Sequence, residues 1–191
     1  MKTEDMRISL IQSTIHTVSN LGIDRATTKL LAGNANLNEV YIYRIFGGKE
    51  ELFEETFTYI DKQFASHLVQ CFSGVERITS PIKDSFRSFF SKIWAFALTD
   101  KERCSYFIRY YYSRYYTKGF SDERKALYER VINIASTLFK PDTNVWWLFN
   151  YMLDIIFSSA VKVLREEIPD NKETEENIFM LIYTAFEPHF K

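Results

Sequence analysis

The sequence predicts an all-α protein, a three-helix head followed by a six-helix body. Three observations carry this. Apolar side chains recur every three to four residues over long stretches, as at Phe53, Phe57, Ile60, Phe64 and Leu68, the period that turns one helix face toward a core. Breaks are few, with six Gly and four Pro in 191 residues, too few turns for a many-stranded fold. Apolar content of 46% and aromatic content of 17% argue against disorder and supply a sizeable core.

The first helix is expected from about Glu4 to Leu21, with Ile8, Ile11, Ile15 and Val18 on one stripe and Gly22 as its stop. Thr27 is suited to cap a second, running to about Ala35 and sending Leu30 and Leu31 toward a core. Asn36 tolerates the left-handed backbone of a tight turn, Leu37 plugs it, and Asn38 caps a third helix, about Glu39 to Phe46. Gly47-Gly48 breaks the chain before a long fourth helix, about Lys49 to Phe72. Ser80-Pro81 reads as the cap and first helical position of the fifth, which ends near Leu98. The sixth is expected over 101–116, and the seventh from Ser121 to Phe139, stopped by Pro141. The eighth runs from about Asp142 or Thr143 to Ile168 before Pro169, and the ninth over 172–187 before Pro188.

Two short helices joined by a three- to four-residue turn form the unit that sets a recognition helix in the major groove. The motif goes further than this. Gly22, Thr27-Thr28, Leu31-Ala32, Ala35-Asn36-Leu37-Asn38, Ile42-Tyr43-Arg44-Ile45-Phe46 and Gly48-Lys49-Glu50-Glu51-Leu52 resemble the signature of the tetracycline-repressor (TetR) family of bacterial regulators. The chain departs from that signature at Asn36 for the turn glycine, Asn38 for a serine and Val40 for a usually small residue. The resemblance covers about 45 residues at motif level and the whole chain in length and helical layout.

The resemblance implies a DNA-binding domain over 1–48 and an effector-binding and dimerisation domain over 49–191. It implies a repressor on a palindromic, double-stranded operator, released when a small effector in the body tilts the fourth helix. An activator or co-regulator with the same head stays open, as does a helical ligand-binding module that has lost DNA affinity. Lys49, at a helix N-terminus, suits a phosphate oxygen. Tyr43 matches the family tyrosine whose hydroxyl reaches the DNA backbone, and Thr27 and Thr28 place hydroxyls near phosphate. Lys29 and Arg44 are further phosphate candidates. Asn38, Glu39 and Tyr41 lead the recognition helix, where side chains reach base edges. Glu39 equally fits a solvated charge that weakens binding.

Charge gives no global case for nucleic acid. The net charge is −1, and residues 1–52 carry six basic and six acidic side chains. The tract from Tyr106 to Tyr116 mixes aromatics with arginines. On a helix its faces diverge, so it suits core packing or a ligand wall better than a single-strand stacking platform. By analogy with the family, Phe89, Ile93, Trp94, Tyr106, Tyr110 and Trp147 are expected to line a pocket for an apolar or aromatic effector.

Residues 145–164, VWWLFNYMLDIIFSSAVKVL, reach membrane-span length. Asn150, Asp154 and Lys162 lie inside them, and a central Asp or Lys costs about 2.5–3.5 kcal/mol on insertion. A helix buried against its own domain and a second subunit explains the apolarity better. A homodimer through helices eight and nine is therefore expected, with Ser158-Ser159-Ala160 admitting a partner helix closely. His16, His67 and His189 are far apart and no metal-ligand spacing occurs. No catalytic residue, metal, cofactor or enzyme activity is expected. Cys71 and Cys104 are too few for a disulfide framework, and the N-terminus lacks a signal-peptide core, so a cytoplasmic protein is expected. Cys104 reads as a small buried hydrophobe sooner than as a redox switch.

Overall fold

A computed structural model describes residues 2–72 and 81–191. Among the described residues the regular elements are α1 (Thr3–Leu21), a 3₁₀ turn (Ile23–Arg25), α2 (Thr28–Asn34), α3 (Val40–Phe46), α4 (Lys49–Phe72), α5 (Ile82–Thr99), α6 (Lys101–Tyr111), α7 (Lys118–Ser136), α8 (Val145–Leu164), α9 (Lys172–Phe186) and a 3₁₀ turn (Glu187–His189). The described architecture is all-α, as expected. The chain divides into two compact units, 1–63 with 105–122, and 64–104 with 123–191.

In the first unit, α1, α2 and α3 close on Leu10, Ile11, Ile15, Val18, Leu31 and Ile42. Ile8, expected on the buried stripe, stays exposed, and Leu10 and Thr14 are buried in the core face. Hydrogen bonds tie α2 onto α1: Ser13 Oγ donates to the Leu31 carbonyl at 2.6 Å, and Asn34 Nδ2 to Thr17 Oγ1 at 3.0 Å. The start of α4 packs against α6. The ring of Phe57 lies 4.7 Å from Phe107 and 4.8 Å from Tyr110, and Tyr106 Oη donates to the Phe53 carbonyl at 2.8 Å.

The second unit is held by α5, α8 and α9. Phe86 is ringed by Phe89, Phe179, Tyr183, Phe186 and Phe190 at centroid distances of 5.0–6.4 Å. α8 is, among the described residues, the one helix long and apolar enough to cross a membrane by length and composition. Its buried side chains Val145, Phe149, Met152, Ile156, Ala160 and Val163 recur at helical spacing, which marks a core helix with one face outward. The C-terminal turn is pinned by an antiparallel bridge between Phe139 and Phe190 and by Lys140 N–H donating to the His189 carbonyl at 2.8 Å.

Several boundaries differ from expectation, each for a local reason. α6 stops at Tyr111 rather than 116, because Ser113 Oγ donates to the Tyr110 carbonyl and accepts from the Tyr115 N–H, competing with the helical backbone. α8 stops at Leu164, well before Pro169. Glu166 adopts φ 61°, its N–H bonds to the Val163 carbonyl and that of Glu167 to Lys162, the Schellman closure. Pro81 holds the N-cap of α5 and Ile82 is the first helical residue; Ser80 lies outside the described residues. α7 begins at Lys118, one turn before Ser121, and ends at Ser136.

Candidate nucleic-acid interface

Thr27 caps α2, its Oγ1 accepting from the Leu30 N–H at 3.3 Å. α2 then closes with the same motif as α8. Asn36 stands at φ 55°, its N–H bonds to Gly33 at 3.0 Å, and Leu37 N–H bonds to Ala32 at 2.9 Å. Asn supplies the left-handed conformation that a glycine would otherwise provide. Asn38 Oδ1 accepts from the Val40 N–H at 3.0 Å in the turn that leads into α3, whose N-cap is Glu39. Buried Ile42 anchors that helix, and Gly47, at φ 98°, ends it.

This anchoring decides which side of α3 faces out. Val40 is 62% exposed and Tyr43 56% exposed. With Arg44, also exposed, they occupy positions i, i+3 and i+4, one face of the helix. Asn38 and Glu39 are exposed just ahead of it, and Tyr41 is half-buried to one side. Val40 was absent from the sequence-derived candidates; its spacing from Tyr43 and Arg44 is the signal that finds it.

Thr27 and Lys29 are exposed and Thr28 half-buried at the start of α2. Thr28 Oγ1 donates to Glu39 Oε2 at 3.1 Å, joining the N-terminal ends of α2 and α3. Lys49, the first residue of α4, lies with its ammonium 5.5 Å from the centre of the Phe53 ring, a cation–π contact that orients the charge. Glu51 folds back over the preceding loop. Its Oε2 lies 2.6 Å from where a Gly48 side chain would begin, so a carboxylate occupies the space beside this helix N-terminus. Arg7 joins the arrangement from α1, lying 5.2 Å from the Phe46 ring centre and pairing with Glu55.

The six pocket residues expected from the sequence divide between the two units, Tyr106 and Tyr110 in the first and Phe89, Ile93, Trp94 and Trp147 in the second. Tyr106 and Tyr110 are buried in the first unit, where their rings pack on the α4–α6 contact and burial pushes both phenols well above their ordinary pKa. Trp147 is 75% exposed, because it falls on the face of α8 opposite the buried stripe. Ile93 and Trp94 are buried, Trp94 stacked on Phe90. Phe89 does border an apolar cavity of the second unit, with Phe86, Val131, Phe139, Phe149 and Met152. Its volume is about 50 Å³, little more than a water's share of liquid volume and far below the ~300 Å³ of a ligand pocket. Cys104 is buried, its thiol pushed up to about 12 chiefly by that burial.

No family model matches the chain, and no curated protein matches it. Solved structures do. A TetR family transcription regulator from Marinobacter aquaeolei superposes with a TM-score of 0.77 at 19% identity, covering 95% of each chain. The chain has the TetR-family fold. A second such regulator, from a Shewanella species, gives a TM-score of 0.76 at 14% identity over 94% of this chain and 97% of its own. The multidrug binding protein EbrR, solved with imidazole, gives 0.62 at 11% identity over 92% and 93%. The TetR-family fold is thus spanned almost end to end.

Proposed function

We propose that the chain is a cytoplasmic DNA-binding transcriptional regulator. The observation that carries this is the outward face of α3, with Val40, Tyr43 and Arg44 exposed above an anchored helix-turn-helix. Residues 1–48, joined by Lys49 at the start of α4, form the DNA-contacting part, and the rest of 49–191 serves assembly and control. Thr27, Thr28, Lys29, Tyr43, Arg44 and Lys49 hold the phosphate backbone while Asn38 and Val40 face the bases. A mobility-shift titration on the chain's own upstream region tests this directly; binding no tighter than to unrelated duplex would reject it.

The finer reading is a repressor that binds a palindrome as a homodimer. Support comes from an outward face of α8 and α9, where Tyr151, Met180, Leu181, Thr184 and Ala185 border a shallow groove and Leu181 is 63% exposed. Of the three small residues expected to admit a partner helix, Ala160 is fully buried within its own chain while Ser158 and Ser159 are half-buried, and Ser158 lies on the same α8 face as Tyr151, which with Leu181 is the contact surface. Release by a small apolar or aromatic effector draws on the apolar cavity beside Phe89, which must widen to admit it, and on the aromatic ring, imidazole, bound by EbrR. The carboxylates of Glu39 and Glu51 crowd the phosphate-facing helix ends, which favours a helical ligand-binding module with weakened DNA affinity. The same titration separates the two.

A further inference from the structure

A second recess lies wholly within the first unit, between the Gly22–Arg25 segment and the stretch from Arg109 to Tyr115. It has a volume of about 500 Å³, ten times that of the apolar cavity and ample for a small molecule. Its character is set by three guanidinium groups, Arg25, Arg109 and Arg114, against the single carboxylate of Asp24. Glu50 is a second acid within electrostatic reach of Arg114. Three guanidinium groups thus share one wall of a chain whose net charge is −1.

Two of the arginines are held in place. Arg114 donates to Tyr115 Oη at 3.1 Å and lies 5.1 Å from that ring's centre, while the ring sits edge-on to Phe53 at 5.4 Å. Arg109 Nε donates to Ser105 Oγ at 3.3 Å. Its Nη1 passes 3.2 Å from the place where a Gly22 side chain would begin, so a glycine there makes room for the guanidinium. Planar forks with fixed stems suit an oxyanion, which they bind through paired N–H donors at little entropic cost. Tyr112 and Tyr115 also line the recess.

We propose that this cleft binds the oxyanion group, phosphate or carboxylate, of a small anionic molecule, clamped by Arg25, Arg109 and Arg114. The site is independent of the DNA reading.

The probes are inorganic phosphate and succinate, titrated into the full chain at ionic strength matched with chloride, and followed by thermal shift and nuclear magnetic resonance. At least one should raise the melting temperature where chloride does not. The Arg25→Ala/Arg114→Ala variant should lose at least about tenfold in affinity. Both side chains are exposed, so its circular dichroism and melting in chloride should match the parent; if it unfolds, Arg114→Gln alone carries the test with a loss of about threefold. Lys162→Ala, an exposed charge on α8, should leave the response intact. Equal responses to chloride and both probes would overturn the proposal, as would an unchanged response in the arginine variants or an equal loss in Lys162→Ala. A double variant that loses duplex DNA but keeps its phosphate response would assign the arginines to the DNA backbone and reject the site.

Discussion

Thr28 Oγ1 donates to Glu39 Oε2 at 3.1 Å, so the residue expected to meet a phosphate is engaged by a carboxylate at the head of the recognition helix. The contact has two opposed effects. A carboxylate at the N-terminus of α3 interacts favourably with the helix dipole, yet the same charge repels an approaching phosphate. Glu39→Gln should therefore lower stability by a few tenths of a kcal/mol and raise duplex affinity by about two- to fivefold at 0.1 M salt, the range of an exposed charge interaction. Fluorescence anisotropy and chemical denaturation measure both, and affinity that falls would show Glu39 reading a base.

Lys49 begins α4 with its ammonium over the Phe53 ring. Lys49→Ala should weaken binding to specific and unrelated duplex alike, and reduce the slope of log K against log salt by about 1. An unchanged slope rejects a phosphate contact at this position.

Glu166 holds φ 61° at the end of α8, a conformation that costs a side-chain-bearing residue about 1 kcal/mol and glycine almost nothing. Glu166→Gly should raise stability by roughly 0.5–1 kcal/mol, read as a shift in denaturation midpoint at unchanged m-value. Asn36→Gly, in the same motif, should gain less, since Asn tolerates this region.

Burial raises the Cys104 thiol from 9.0 to about 12, so the folded state holds its proton more tightly than the unfolded state does. The stability this gives is present in full below pH 9 and is lost as pH rises from about 9 to 12. Denaturation of Cys104→Ala against the parent should show the parent losing stability faster over that window. A parallel decline would place the thiol in contact with water.

Leu181 is exposed on α9 beside Tyr151 of α8. Leu181→Glu should turn a dimer into a monomer by light scattering while leaving helicity unchanged. Operator binding should fall with it, since one head reads a half-site. A parent chain that is monomeric at micromolar concentration would reject the dimer outright.

Local chemistry determined much of this protein without its tertiary structure. The 4, 3, 4, 4 spacing from Phe53 to Leu68 marked α4 as one unbroken helix from Lys49 through the described residues to Phe72, because a sustained apolar period of that kind specifies a helix. Asn36 and Gly47 marked the ends of α2 and α3 because left-handed backbone is open to few residue types. Other features lay in contacts between residues far apart in sequence. α6 ended early at the Ser113 hydroxyl, and the rings beyond it packed back on Phe53 and Phe57. Tyr106 and Tyr110 became core because α4 met α6 there, while Trp147 faced outward because the buried stripe of α8 lay on its other side. An apolar period says that a helix has an inside; only the neighbouring helices decide whether that inside is filled by rings or left open for a ligand.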